Sequence, residues 1–269
     1  MKNVLLIDFY NYVLYVLHSK KICVNSRIDF DRWKSSVVKN LALYVKKFSP
    51  DQVCVVLDDS GRSWKKEIYP GYKKNKKNTL SKYSNYADFR SELDDLTRVM
   101  GRNGYKVVSV SGCEADDIIA TIALNCDSSY TIFSSDSDYL QLVHLENVSV
   151  YNFRIKDFVT HGEAINSSTM KKIICGQSKL NVPSVLTPLD DSEVSQITDE
   201  DWLSILDKGL EYFLFKNRSR VAYKDPTVVS TKLYRFSKNN IFDRIVANAM
   251  LIDFYSIPSC ISKRILACI

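Results

Sequence analysis

Val4-Leu5-Leu6-Ile7-Asp8 opens the chain with four apolar residues closed by an acid. The run is short and apolar at every position, the pattern of a strand buried on both faces rather than on one. The same grammar returns three times. Gln52 to Leu57 is apolar after its first residue and ends on Asp58-Asp59; Tyr105 to Val110 leads into Gly112-Cys113-Glu114-Ala115-Asp116-Asp117; Tyr130 to Phe133 leads into Ser134-Ser135-Asp136-Ser137-Asp138.

Helical spacing separates these runs. Tyr12, Tyr15 and Val16 follow the first, and Trp33, Val37, Leu41, Tyr44, Val45 and Phe48 form one stripe of a helix over Phe30 to Phe48. Ala115 to Cys126 places Ile118, Ile119, Ile122 and Ala123 inward. Strand and helix in alternation predict an α/β fold with a parallel sheet covered on both faces. Ligands of such sheets bind beyond the carboxyl ends of the strands. The acids that follow the strands would then share one rim.

One acid after a strand is as readily a helix cap as a ligand. Acids after four strands are another matter, because clustered carboxylates repel one another unless a cation neutralises them. The expected metal site comprises Asp8, Asp58, Glu114, Asp116, Asp117, Asp136 and Asp138. Three histidines and seven singly scattered cysteines give no zinc or redox spacing, so oxygen must hold the ion. Mg²⁺ is expected, with Mn²⁺ as the alternative.

Between the second and third strands lies Arg62-Ser63-Trp64-Lys65-Lys66-Glu67-Ile68-Tyr69-Pro70-Gly71-Tyr72-Lys73-Lys74-Asn75-Lys76-Lys77. Lysines neutralise backbone phosphates and aromatic faces stack on unpaired bases. Trp64, Lys66, Tyr72, Lys74, Lys76 and Lys77 are the expected nucleic-acid contacts. A solvated charged loop is the plainer reading of a lysine run. The net charge of +6 agrees with a polyanionic partner. Nothing in the sequence is long and apolar enough to span a membrane. Met1-Lys2 runs straight into the first strand without a signal peptide, and a reduced, cytosolic protein is expected.

These motifs, in this order, resemble the 5′-nuclease (flap endonuclease) superfamily: Leu5-Leu6-Ile7-Asp8, Val56-Leu57-Asp58, Trp64-Lys65-Lys66-Glu67, Tyr69-Pro70-Gly71-Tyr72-Lys73, Glu114-Ala115-Asp116-Asp117 and Ser135-Asp136-Ser137-Asp138 through Leu142. Lys171 to Gly176, Asn181 to Val185 and Leu251 to Pro258 extend the resemblance to this superfamily into the second half of the chain. The resemblance implies a PIN-like sheet over residues 1–158, with a helical arch at about 60–90. A mostly helical part over 159–269 would follow, with a divergent helix–three-turn–helix for duplex DNA. It places Asp8, Asp58, Glu114, Asp116 and Asp136 on a first metal and Asp117 and Asp138 on a second. Lys73 becomes the lysine of the scissile phosphate, and Lys65 stands where relatives carry arginine. Asp59 is passed over for Asp58 on its spacing to Glu67.

The implied activity is 5′→3′ exonuclease and flap cleavage of DNA and RNA–DNA hybrids, with primer removal in phage-type replication. A host-cytoplasmic monomer is implied, with a single-strand binding protein or sliding clamp as partner. One motif departs from the family. Its G-D-x-x-D-N reads Gly176-Gln177-Ser178-Lys179-Leu180-Asn181, so Gln177 and Leu180 replace two aspartates of the second metal. A DNA-structure-binding protein with weakened catalysis is therefore the alternative, and a PIN-type single-strand ribonuclease is a third.

Overall fold

The computed structural model describes residues 1–19, 22–75, 79–159, 169, 172–173, 175–184 and 241–269. They fall into two compact units. One comprises Met1–Gly61, Lys77–His161 and Ile265–Ile269; the other comprises Arg62–Lys76 and Gly162–Arg264.

The first unit is an α/β sandwich. Its strands in chain order are β1 (Asn3–Asp8), a small antiparallel pair β2 (Cys23–Val24) and β3 (Arg27–Ile28), β4 (Gln52–Val56), β5 (Lys106–Val108), β6 (Ser129–Phe133), β7 (Val148–Asn152) and β8 (Asp157–Val159). Its helices are α1 (Phe9–Ser19), α2 (Phe30–Phe48), α4 (Phe89–Arg102) and α5 (Ala115–Asn125), with α3 (Lys65–Ile68) in the other unit. Asp29 caps α2 by accepting the Arg32 N–H, and Ser49 ends it in the left-handed region.

The main sheet has the order β5-β4-β1-β6-β7-β8, parallel except for the antiparallel edge strand β8. Leu5, Ile7, Val53, Val55 and Phe133 join one core with Trp33, Leu41, Leu96 and Met100 of α2 and α4. Leu6, Cys54, Val56 and Ile132 alternate to the opposite face and are equally buried, as are Ile118 and Ile119 of α5. The chain leaves β1 toward β4 and β5, then α5 carries it back to β6 on the far side of β1. The reversal puts a topological switch point between β1 and β6.

The expected helix over Phe30 to Phe48 and the first four core strands form as read, with the third shortened to Lys106–Val108. The β7–β8 hairpin is the addition. Val148-Ser149-Val150-Tyr151-Asn152 is five residues of ordinary strand length, but its burial does not alternate cleanly and no acid closes it, so it lacks the mark that singled out the other strands.

Of the second unit, α3 is a single turn, and α6 (Ile241–Ile252) packs on it; α7 (Ser259–Leu266) follows after a 3-10 turn at Phe254–Ser256. Both α6 and α7 fall in the part expected to be mostly helical. In the insertion expected as a helical arch, the described helical residues are Lys65–Ile68 and Tyr86–Asp88. Lys65–Ile68 gives way to successive turns at Pro70-Gly71, and Tyr86–Asp88 is a 3-10 turn ahead of α4. Proline removes a backbone donor, and the extended residue Tyr69 ends α3 just ahead of it. Ser178–Leu180 forms a 3-10 turn, and most of the expected helical part over 159–269, residues 185–240 among it, lies outside the described residues.

Candidate metal centre

Register decides what meets Asp8. Ile7 pairs with Phe133 across β1 and β6, so the next residue of each strand, Asp8 and Ser134, stand level at the switch point. Ser134 Oγ donates to Asp8 Oδ2 at 3.0 Å, and the Tyr139 hydroxyl donates to the same oxygen at 3.3 Å. Oδ1 accepts the Asn11 N–H from the first turn of α1. Asp8 pairs with Val56 on the other side, which brings Asp58 just beyond the end of β4. Asp58 Oδ1 accepts the Ala115 N–H at 2.8 Å, tying the second strand's acid to the start of α5.

Glu114 is the residue before α5, and Asp116 and Asp117 are in its first turn, where exposed N–H groups favour negative charge. Asp116 Oδ1 accepts the Asp117 N–H, and Asp117 Oδ2 accepts the Glu114 N–H. Carboxylate oxygens of Glu114, Asp116 and Asp117 all lie within 4.8 Å of one another. Asp136 caps the 3-10 helix Ser137–Leu142 by accepting the Asp138 N–H, and its own N–H donates to Ser134 Oγ.

The electrostatics show which of these acids converge. Burial raises the Asp8 carboxyl to about 7, with the charges of Asp58 and Asp136 adding to the rise and the Ser134 hydrogen bond opposing it. Burial also lifts the Tyr139 phenol well above its ordinary range, and Asp8, Asp116, Asp136 and Asp58 all act on it. Asp138 is placed on the same 3-10 turn and Asp117 is fully buried.

Asp59 has a different task. Its Oδ2 accepts the N–H groups of Gly112 and Gly61, and the Gly112 bond in particular holds its carboxyl below the usual range. It latches the loop after β4 to the loop before α5, while Asp58 faces the cluster. Sequence reasoning missed Ser134, Tyr139 and Asn11 as supports of Asp8. Their signal is weak, since serine, tyrosine and asparagine near an acid are commonplace until register sets them level with it.

In the other unit, Trp64, Lys65 and Tyr72 are buried, with relative exposures of 3%, 3% and 1%. Lys65 Nζ stands 5.8 Å from the Trp64 ring centre and 5.7 Å from that of Tyr72. This corrects the expectation that Trp64 and Tyr72 are stacking platforms. Their faces are spent on packing and on a buried cation. Lys66 and Lys73 are half-buried and Lys74 is exposed, whereas Lys76 and Lys77 lie outside the described residues.

Lys73 has a left-handed backbone, φ 52°, inside a turn clasped from residues 177–182. Its N–H donates to the Leu180 carbonyl at 2.7 Å, Asn181 Nδ2 donates to the Gly71 carbonyl at 2.8 Å, and Asn75 Nδ2 donates to Asn181 Oδ1 at 2.9 Å. These bonds explain why Arg62–Lys76 groups with the C-terminal unit. Gly176 is required where it stands: φ is +75°, and a Cβ would meet the Val182 carbonyl at 2.5 Å. Leu180 is 7% exposed, so it has become a packing residue, and the Gln177 Oε1 is buried without a hydrogen-bond partner.

The model for the 5′-3′ exonuclease, N-terminal resolvase-like domain, matches residues 3–173. The chain belongs to the 5′-3′ exonuclease family. The DNA polymerase I of Mycobacterium leprae is 30% identical over 110 residues, 40% of this chain and 11% of that protein, so the chain spans about a tenth of that relative. Flap endonuclease Xni of Vibrio parahaemolyticus is 24% identical over 194 residues, 64% of this chain and 72% of the relative. Among solved structures, bacteriophage T5 flap endonuclease in a pseudo-enzyme–product complex with DNA and metal ions superposes with a TM-score of 0.63 at 17% identity, covering 99% of both chains. The sheet order and the carboxyl-end rim are thus those of a family fold.

Every donor in the Glu114, Asp116 and Asp117 set is a carboxylate oxygen, and the neighbouring Asp8, Asp58 and Asp136 add only more of the same. That set fits a hard divalent cation.

Proposed function

We propose that this chain hydrolyses phosphodiester bonds at 5′ ends and 5′ flaps of DNA and RNA–DNA hybrids, with Mg²⁺ or Mn²⁺ held by Asp8, Asp58, Glu114, Asp116 and Asp136. The observation that carries it is the gathering of carboxylates at the carboxyl ends of the parallel strands: Asp8 ends β1, Asp58 beyond β4 accepts the Ala115 N–H of α5, and oxygens of Glu114, Asp116 and Asp117 lie within 4.8 Å of one another. Clustered like charges at the carboxyl ends of parallel strands, with Asp8 buried and the others partly so, work against folding unless a cation joins them. Divalent ions bound there would lower the pKa of a water and stabilise the leaving oxygen.

The protein's own groups have separable duties in this reading. Ser134, Tyr139 and Asn11 orient Asp8, and the α5 N-terminus orients Asp58 through the Ala115 N–H. Asp117 and Asp138 complete the acidic set. Lys73 is assigned to the scissile phosphate and Lys65 to a supporting position. Lys66, Lys74, Lys76 and Lys77 are assigned to the nucleic-acid backbone. The catalytic domain is assigned to residues 1–158 and duplex binding to 159–269. Removal of RNA primers is the use we assign to the activity.

Cleavage of a 5′-labelled flap duplex and of an RNA–DNA hybrid, with Mg²⁺, Mn²⁺ or EDTA, tests this directly. Metal-dependent release of 5′ products, lost in Asp136→Ala, is the expected result. A second reading has its own observation: Leu180 is buried and Gln177 is neutral where family members supply acids. Tight, salt-sensitive binding of the flap without cleavage in either metal would favour a structure-binding protein instead.

A further inference from the structure

The β7–β8 turn carries an arginine with an unusual setting. Phe153 is fully buried against Tyr12, Tyr15 and Phe133, and this anchors the exposed Arg154 beside it. Arg154 Nε donates to Ser135 Oγ at 3.1 Å, and Ser135 directly precedes Asp136. The guanidinium also lies 5.7 Å from the Tyr15 ring centre. One turn farther along α1, exposed His18 has its Nδ1 3.4 Å from the Tyr83 hydroxyl, and Lys82 Nζ sits 5.0 Å from the Tyr83 ring centre. Arg154, Tyr15, His18, Tyr83 and Lys82 thus form a continuous cationic and aromatic strip that starts next to the carboxylate rim, all within the first unit.

An arginine one residue removed from an acidic cluster would ordinarily form an ion pair. Among the described residues, neither Arg154 nor Lys82 has a carboxylate within ion-pair distance. Arg154 is instead held by a neutral hydroxyl and an aromatic ring, which fix its direction and leave its charge uncompensated. Burial first, and then the charges of Lys82 and Arg154, hold His18 below its ordinary range.

We infer that the Arg154–Lys82 strip is a second nucleic-acid contact, binding backbone phosphates of the strand whose scissile bond lies at the carboxylate rim. The inference rests on the nuclease reading and deepens it by adding a binding surface remote from the lysines of residues 65–77 in sequence. Arginine and lysine on ring faces suit phosphates, with the rings serving to position the cations. The contact carries no base preference.

The test measures affinity for a fluorescein-labelled 5′-flap duplex in EDTA across a series of salt concentrations. Each phosphate contact contributes roughly 0.7 to 0.9 to the slope of log K against log salt. The double variant R154A/K82A is expected to lose about 1.4 to 1.8 of that slope, and R154K/K82R to keep it. Thermal unfolding of both variants checks that the fold is intact. Wild-type binding with an unchanged slope in R154A/K82A would overturn the strip while leaving the nuclease reading standing. Wild-type protein that neither binds this flap nor cleaves it with Mg²⁺ would overturn both.

Discussion

The Tyr139 hydroxyl donates to Asp8 Oδ2 from a ring with no solvent exposure. That bond joins the end of β1 to the 3-10 turn, and Ser134, just past the end of β6, donates to the same oxygen. A ligand that has its free rotation removed by two donors is set in direction before any ion arrives, which is how outer partners tune a metal site.

Tyr139→Phe keeps the ring and deletes one donor. The buried Asp8 oxygen keeps Ser134, so stability should fall by about 1 kcal/mol. Cleavage should fall by roughly 10-fold to 100-fold, with a higher Mg²⁺ requirement. Rates measured against Mg²⁺ concentration, beside urea unfolding, would show this; an unchanged metal requirement would remove Tyr139 from the site.

Asp8→Asn should divide stability from function. Above the Asp8 value of about 7 it removes one charge from a cluster of carboxylates, so the metal-free protein should become more stable by about 1 to 3 kcal/mol there, and the gain should shrink as pH falls toward the unfolded carboxylate value of about 3.9. The same change should abolish the rise in Tm that Mg²⁺ gives the wild type, and cut cleavage by more than the roughly 100-fold typical of outer partners. Calorimetry with and without metal is the measurement. A variant less stable than wild type in EDTA would contradict the repulsion argument.

Asn181 holds the turn that carries Lys73, and its own φ is 56°. Asn181→Gly should lose the two side-chain hydrogen bonds at a cost of about 1 to 2 kcal/mol. Asn181→Ala should cost about 1 kcal/mol more, because alanine resists the left-handed region. Chemical denaturation of the two variants tests the order. Glycine proving the worse replacement would show that backbone conformation is not what asparagine supplies here.

Asp253 provides a pH test. Burial raises its carboxyl above the usual range, against the hydrogen bonds from Ser256 and Tyr255. A raised folded pKa means that the folded state holds the proton more tightly. Its contribution is therefore present at low pH and declines as pH rises from the unfolded value through the folded one. Asp253→Asn should match wild type below the unfolded carboxylate pKa of about 3.9 and exceed it modestly at neutral pH. Tm measured across this range decides; equal pH profiles would refute the assignment.

Much of this protein is legible in its sequence. Apolar runs ended by acids at Asp8, Asp58, Glu114 and Asp136 indicate both a doubly covered sheet and a carboxyl-end site, because local hydrophobicity and strand direction are one-dimensional signals. Gln177 and Leu180, at the places where the resembled motif has aspartates, are also read in one dimension. Burial is not. Trp64 and Tyr72 look like stacking residues in a lysine-rich loop, yet their faces are taken up by Lys65 and packing. Nor does sequence reveal that Asp59 latches a loop while Asp58 faces the cluster, since adjacent residues point in different directions only once β4 and α5 are placed. Strand register levels Asp8 with Ser134 and the turn after β6 brings in Tyr139, from residues more than a hundred positions away. Composition and period determined the kind of fold and the acids available to it; the pairing of distant strands decided which hydroxyls, rings and cations those acids meet.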